Sequence, residues 1–282
     1  MDGTLQLRDY FYAGFNNYCL NNYKNIEEEE EKKEADEYIY QIYMISNIKK
    51  DFILSLKYEK NENLYLLYLY YKYYYLNEKE DVLSELKNLK ISSTNGNILK
   101  SRILFDNDLL DECFDLLEDG TVEVKAAKIF FLLSINRNDL VKEIINEYLK
   151  MNDEIPIIKI ALAIYYLYND NYKESFLIFD DLESLYSSVV NDFSTIILNG
   201  KSVSNIISYE FNDAKEYLKN AIKNEINNSD ILYNLITCSL YLYELDEAEE
   251  YLKKLYDFFP VHDSISVLRK IDYEVDNFVC EF

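Results

Sequence analysis

With 282 residues the chain is long enough to bury a substantial core without disulfide or metal staples, and its 5 Gly and 2 Pro are too few for the sharp turns of a β-sandwich or doubly wound sheet, which leaves an all-helical class. Asp and Glu number 52 against 29 Lys and Arg, a net charge of -23; this surface repels phosphate backbones and anionic lipid and suits a basic surface on another protein. Cys19, Cys113, Cys238 and Cys280 lie far apart with no CxxC pair and only one histidine, His262, so neither a zinc site nor a small disulfide framework is written here.

The first residues, MDGTLQLRDYFYAGF, carry Asp2 where a signal peptide would carry positive charge, which points to the cytosol. Residues 27–34, EEEEEKKE, hold several like charges in a row and are read as an exposed helix end or an inter-repeat loop. DEYIYQIYMISNIKKDFILSLK (36–57), NLYLLYLYYKYYYLN (63–77) and DVLSELKNLK (81–90) read as helices. The second is too short to span a bilayer, holds Lys72 and is rich in tyrosine, so a buried solenoid helix is expected. ISSTNGNILK (91–100) reads as a loop or weak helix start, and LLDECFDLLEDG (109–120) as a helix with Gly120 as its C-cap.

From residue 123 onward, helices come in pairs. EVKAAKIFFLLSI (123–135) precedes NRNDLVKEIINEYL (136–149), and PIIKIALAIYYLY (156–168), with Pro156 suited to a first turn, precedes NYKESFLIFDDL (171–182). YEFNDAKEYLKN (209–220) returns 34 positions later as YELDEAEEYLKK (243–254), with Ala214 and Ala248 as the small residues of one helical face. Between the copies SDILYNLITCSLYLYE (229–244) is another helix, for which Ser229 is the expected N-cap. Pro260 fits the first turn of the next element. Ser175 stands 39 residues before Ala214, so about five extra residues are expected in SLYSSVVND (184–192). A helix–turn–helix unit of 34 residues is the period of the tetratricopeptide repeat. The expected fold is therefore all-α, one continuous tetratricopeptide-repeat-like right-handed α-solenoid of stacked helix pairs over residues 1–282. In it Ser175, Gly200, Ala214, Tyr217, Ala248 and Tyr251 would pack between repeats.

Nothing in the sequence asks for catalysis. His262 is expected on the surface or at a helix cap, and Asp106, Asp108, Asp111 and Glu112 lack the Gly and Glu spacing of a calcium loop and suit an acidic helix start. No cofactor is expected. Asn199–Gly200 lies in helix periodicity, where glycine costs about 1 kcal/mol. Close approach of a neighbouring helix or a bound segment would offset that cost, or the pair marks a helix boundary. First helices of such pairs line the concave side. That register gives Ile160, Ile164 and Leu167, then Asn199, Val203 and Ile206, then Tyr233, Thr237 and Leu240 as an apolar protein-binding stripe.

DYFYAGFNNYCLNN, DEYIYQIYMI, TIILNGKSVSNIISYEFNDAKEYLKNAI with its Leu198-Asn199-Gly200, DILYNLITCSLYLYELDEAEEYLKKL and HDSISVLRKIDYEVDNF together resemble the coatomer epsilon subunit family over nearly the whole chain. The run at 27–34 lengthens the first inter-helix region, and Tyr and Asn stand where that family draws on Leu, Ala and Gln. The resemblance implies a non-enzymatic coat subunit that binds the C-terminal region of the alpha coatomer subunit and meets other coat subunits indirectly. It would be cytoplasmic and peripheral on Golgi membranes and COPI-coated vesicles, touch membrane only through the coat, and serve retrograde transport to the endoplasmic reticulum. The alternative is a generic repeat scaffold or co-chaperone for peptide tails, which needs a basic clamp on the inner faces; those faces read as apolar.

Overall fold

The computed structural model describes residues 3–45, 49–118, 120–151, 155–189, 194–224, 228–259 and 262–278. Its helices are α1 (Gly3–Tyr12), α2 (Asn16–Asn22), α3 (Glu29–Ile45), α4 (Lys50–Ser55), α5 (Glu62–Tyr75), α6 (Lys79–Leu86), α7 (Thr94–Phe105), α8 (Leu110–Asp115) and α9 (Val122–Ser134). They continue as α10 (Asn138–Met151), α11 (Pro156–Tyr168), α12 (Tyr172–Leu185), α13 (Thr195–Ile207), α14 (Phe211–Asn224), α15 (Ser229–Tyr241), α16 (Leu245–Phe258) and α17 (Asp263–Asp276). No strand occurs among the described residues, in agreement with the all-helical class.

One turn joins the pairs. After α1, α5, α7, α9, α11, α13 and α15 the chain enters the left-handed region at Gly14, Asn77, Asp108, Asn136, Asp170, Tyr209 and Tyr243. In six of these turns the next residue (Phe15, Leu109, Arg137, Asn171, Glu210 or Glu244) donates its N–H to the carbonyl five residues back, at 2.8–3.1 Å. That bond closes the helix end in a Schellman-type cap, and the second helix follows at once. Helices α3, α5, α7, α9 and α11 pack side by side in order, α13 packs on α15, and α12 and α14 each hold the helix that follows them. The core accordingly runs as successive clusters along the stack rather than as one ball.

Several boundaries differ from the sequence reading. The stretch 36–57 is two helices, α3 and α4, not one. Helix α7 starts at Thr94, where Ser93 Oγ accepts from Gly96 N at 3.0 Å, so of the two readings of 91–100 the helix start holds. Helix α8 stops at Asp115 with Leu116 as its cap, well before Gly120. Asn228 rather than Ser229 caps α15, accepting from the N–H groups of Asp230 and Ile231. Pro260, Cys280 and part of the 184–192 insertion lie outside the described residues. The connection from Leu185 to Thr195 is nonetheless longer than those from Met151 to Pro156, Asn224 to Ser229 and Phe258 to Asp263.

The N-terminal pair does not simply begin the stack. Helix α1 packs on α3 and also on α11. Arg8 pairs with Glu123 of α9 at 2.9 Å, the Tyr10 ring meets Tyr186 at 5.0 Å, and Ala13 and Phe15 are buried with Ile160, Ala163 and Ile197. Gly14 (φ +81°) takes the chain past α13: a Cβ there would lie 2.8 Å from Ser194 Oγ and 3.0 Å from Ile196. Tyr186 at the start of the longer connection and Ser194 at its end thus both meet the N-terminal segment.

Glu37 of α3 is buried, and its carboxylate accepts from Ser93 Oγ at 2.8 Å and Asn95 at 3.4 Å, with no cation among those partners. Burial raises its pKa; the donors from Ser93, Asn95 and Asn63 oppose that rise without cancelling it. The folded state therefore binds a proton that the unfolded chain has released, and stability falls as pH rises from the ordinary carboxyl value through the raised one. Glu37→Gln keeps the acceptor and removes the charge. It is expected to raise the melting temperature by roughly 2 °C near neutral pH. The gain should vanish in melts recorded below the ordinary glutamate pKa; a loss of stability at both pH values would contradict this account.

Candidate protein-binding face

Helix α13 is built from an Asn-Gly pair placed mid-helix. Gly200 is buried against α12, where a Cβ would overlap the ring of Phe179, itself 2% exposed. The close approach of a neighbouring helix is thus what offsets the cost of glycine. One turn on, Ser204 Oγ donates to Ser175 Oγ at 3.3 Å, both fully buried. Ala214 and Ala248 are buried in α14 and α16, while Tyr217 and Tyr251 are half-buried beside them.

The side of α13 facing α12 and α14 also takes its lysine. Lys201, 2% exposed, sets its Nζ against Asp180 Oδ1 at 2.5 Å and against Glu183, with the rings of Phe176 and Tyr217 5.4 and 5.3 Å away. Burial disfavours this charge, but the two carboxylates outweigh burial and its pKa is raised. Lys215 of α14 is held in the same way by Glu244 and Glu247 of the next pair. Both cations are committed to neighbouring helices.

Away from Lys201, α13 borders a mainly apolar cleft. Ile160, Ile164 and Leu167 of α11 and Asn199 and Val203 of α13 line one cleft of about 330 Å³, together with Ile196 and the start of α15 at Asn228 and Asp230. Ile160 is mostly buried at the cleft floor, and Ile206 is half-buried in the core beneath α14 and α15 rather than in the cleft. Asn199 Oδ1 accepts from Asn234 Nδ2 at 2.8 Å, which ties α13 to α15 at the cleft edge. Tyr233 and Leu240 stand 46% and 51% exposed on α15, with the Thr237 hydroxyl turned to the carbonyl of Tyr233. Ile196, which periodicity alone did not single out, is 42% exposed in the cleft and is touched from the far side by the Gly14 turn.

His262 caps α17, its Nδ1 accepting from Ser264 N at 3.3 Å, and its ring lies 6.1 Å from that of Tyr233. Burial pushes the Cys113 and Cys238 thiols up to about 11. Among the described residues no group of His, Cys, Asp and Glu could hold a metal ion, and no helix is long and apolar enough to cross a membrane.

Comparison with known proteins gives the same picture from outside. The chain is similar to coatomer subunit epsilon of Caenorhabditis elegans, 22% identical over 98% of this chain and 97% of that protein. It is 24% identical to coatomer subunit epsilon-1 of Arabidopsis thaliana, over 98% of this chain and 95% of the relative. Among solved structures it superposes on a tetratricopeptide repeat protein from Parabacteroides merdae with a TM-score of 0.59 at 12% identity, covering 96% of this chain and 98% of that one. It superposes equally on a chain of the Cut9–Hcn1 assembly, TM-score 0.59 at 10% identity, covering 94% of this chain and 54% of that one. These two likenesses carry the repeat fold alone. The sequence profile described as Coatomer epsilon subunit matches residues 2–282. With its whole length matched, the chain belongs to the coatomer epsilon subunit family, non-enzymatic components of a vesicle coat.

Proposed function

We propose that this chain, as one solenoid domain, holds the C-terminal region of the alpha coatomer subunit along the inner faces of α11, α13 and α15, and so stabilises the coat that buds retrograde vesicles from the Golgi. The observation that carries the reading is the apolar cleft between α11 and α13, open on a strongly acidic molecule. Apolar burial supplies most of the affinity in a lasting hetero-complex, and complementary charge guides the encounter. A co-chaperone that captures acidic tails would need cations on this face; Lys201, the lysine of α13, is instead turned to the other side and neutralised. Attachment to membranes is through the rest of the coat, and the protein works in the cytoplasm, peripheral on Golgi membranes.

Val203 is half-buried at the cleft, so Val203→Asp removes apolar contact there without emptying a core site. In pull-downs with the recombinant C-terminal region of the alpha subunit, the parent chain is expected to retain it. Val203→Asp is expected to weaken binding about tenfold or more. Recovery of chaperones without coat subunits from cell extract would favour the scaffold reading instead.

A further inference from the structure

The repeat step that relates α13 to α15 can be carried once more. Asn199 and Val203 of α13 correspond, 34 positions on, to Tyr233 and Thr237 of α15, and these to Val267 and Ile271 of α17. Val267, Ile271 and, one turn later, Val275 are 56%, 48% and 67% exposed. They form an unpartnered apolar row at helical spacing. Helix α17 is seated in register with its predecessors: Ile265 is fully buried against Leu232 and Leu255, and His262 stands beside Tyr233.

The same register separates two faces that an end helix could leave bare. In α15 the residues that hold the next pair are Leu232 and Ile236. Their counterparts in α17 are Ser266 and Lys270, both exposed and polar, as the capping helix of a solenoid requires. The face that would stack a further repeat or a second copy has thus been made hydrophilic. The face that corresponds by register to Asn199 and Val203 of the cleft has not.

We infer that the partner-binding surface runs past the cleft onto α17. Its occupant there is an amphipathic segment of the partner protein whose apolar side covers Val267 and Ile271 and whose flanks carry Lys or Arg. The charge follows from the rim: Asp170 and Glu210 are exposed at the ends of α11 and α13, Asp230 begins α15, and Asp272, Glu274 and Asp276 flank the row on α17. With a net charge of -23, a cationic border is the complement this surface selects. The inference rests on the function proposed above and extends its site.

Three full-length variants test it against the recombinant C-terminal region of the alpha subunit by titration calorimetry, with melting temperature as the fold control. V267D/I271D alters only exposed side chains and is expected to melt like the parent while binding about tenfold more weakly. Lys270→Ala, on the polar end face, is expected to bind like the parent. If V267D/I271D binds within twofold of the parent while Val203→Asp fails, the cleft reading stands and the extension onto α17 is overturned. If Val203→Asp also binds normally, both fall. Loss of binding in Lys270→Ala with none in V267D/I271D would move the contact to the end face and equally overturn the inference.

Discussion

Gly200→Ala is expected to destabilise the chain, although alanine is the better helix former. In an open helix the exchange would gain about 1 kcal/mol. Here the new methyl would overlap the ring of Phe179, which is 2% exposed and buried in one cluster with Ile160, Ala163 and Leu182, so the ring or the helix must shift. Forcing an extra carbon into a packed core costs about 1–3 kcal/mol. The contact at Gly200 is closer than real Cβ atoms show, which places alanine at the upper end of that range and valine beyond it. The expected net change is a fall in melting temperature of roughly 5 °C for alanine and more for valine, read by far-UV circular dichroism. Two further observations tie the effect to this contact. Phe179→Leu alone leaves a cavity and is also destabilising. Combined with Gly200→Ala, it should lose clearly less than the sum of the two single changes. Strict additivity, or an alanine variant as stable as the parent, would mean the two helices do not meet as described.

Deleting residues 1–15 is expected to have a larger effect than any point substitution in a terminal repeat. In an ordinary solenoid an end unit touches only its neighbour, and its loss is felt locally. This N-terminal segment also covers Ile160, Ala163 and Ile197 and pairs Arg8 with Glu123, whose side chain is 10% exposed. Removing one member of a largely buried ion pair costs about 3 kcal/mol before any apolar surface is counted. The truncated chain is expected to melt more than about 10 °C lower. Hydrogen exchange should show lost protection in α3, α9, α11 and the first turn of α13, with α15 and α16 little changed. A truncation that melts like the full chain would show that the contacts with α11 and α13 carry no stability. Arg8→Met with Glu123→Gln removes both charges while keeping the covering segment, and should separate the ion pair from the apolar share.

The helix pairs after residue 123 could be read because each second helix repeats one face in sequence, and Ala214, Ala248 and Ser175 mark it with small residues. The longer step before α13 was equally readable as a shift from 34 to 39 positions. What meets the two ends of that connection was not. The contact of Gly14 with Ser194 and Ile196 joins residues that share no period, and local pattern carries no information about such pairs. The break between α3 and α4 was missed because apolar residues continue through it at helical spacing. Val267 and Ile271 were within reach: the step already used for Tyr233 and Thr237 leads to them. Periodicity identified Asn199 and Val203 as inner-face positions but could not show that Ile206 turns toward the core, since that depends on where α14 and α15 press.

The turns that join the pairs bear on how far such a protein can drift in sequence. Six of the seven left-handed positions are filled by Asn, Asp or Tyr, and glycine occupies only the one at Gly14, where α13 crowds the backbone. A tyrosine there gives up about 1 kcal/mol relative to glycine, yet Tyr209 and Tyr243 both hold the turn, because backbone hydrogen bonds and the following helix determine it. The fold is thus encoded at these points as a geometry that many side chains can meet at modest expense. A lineage whose composition shifts toward Asn and Tyr can rewrite its turns one at a time and keep every pair in place. Such latitude is compatible with 22% identity to a nematode relative over 97% of that relative's length.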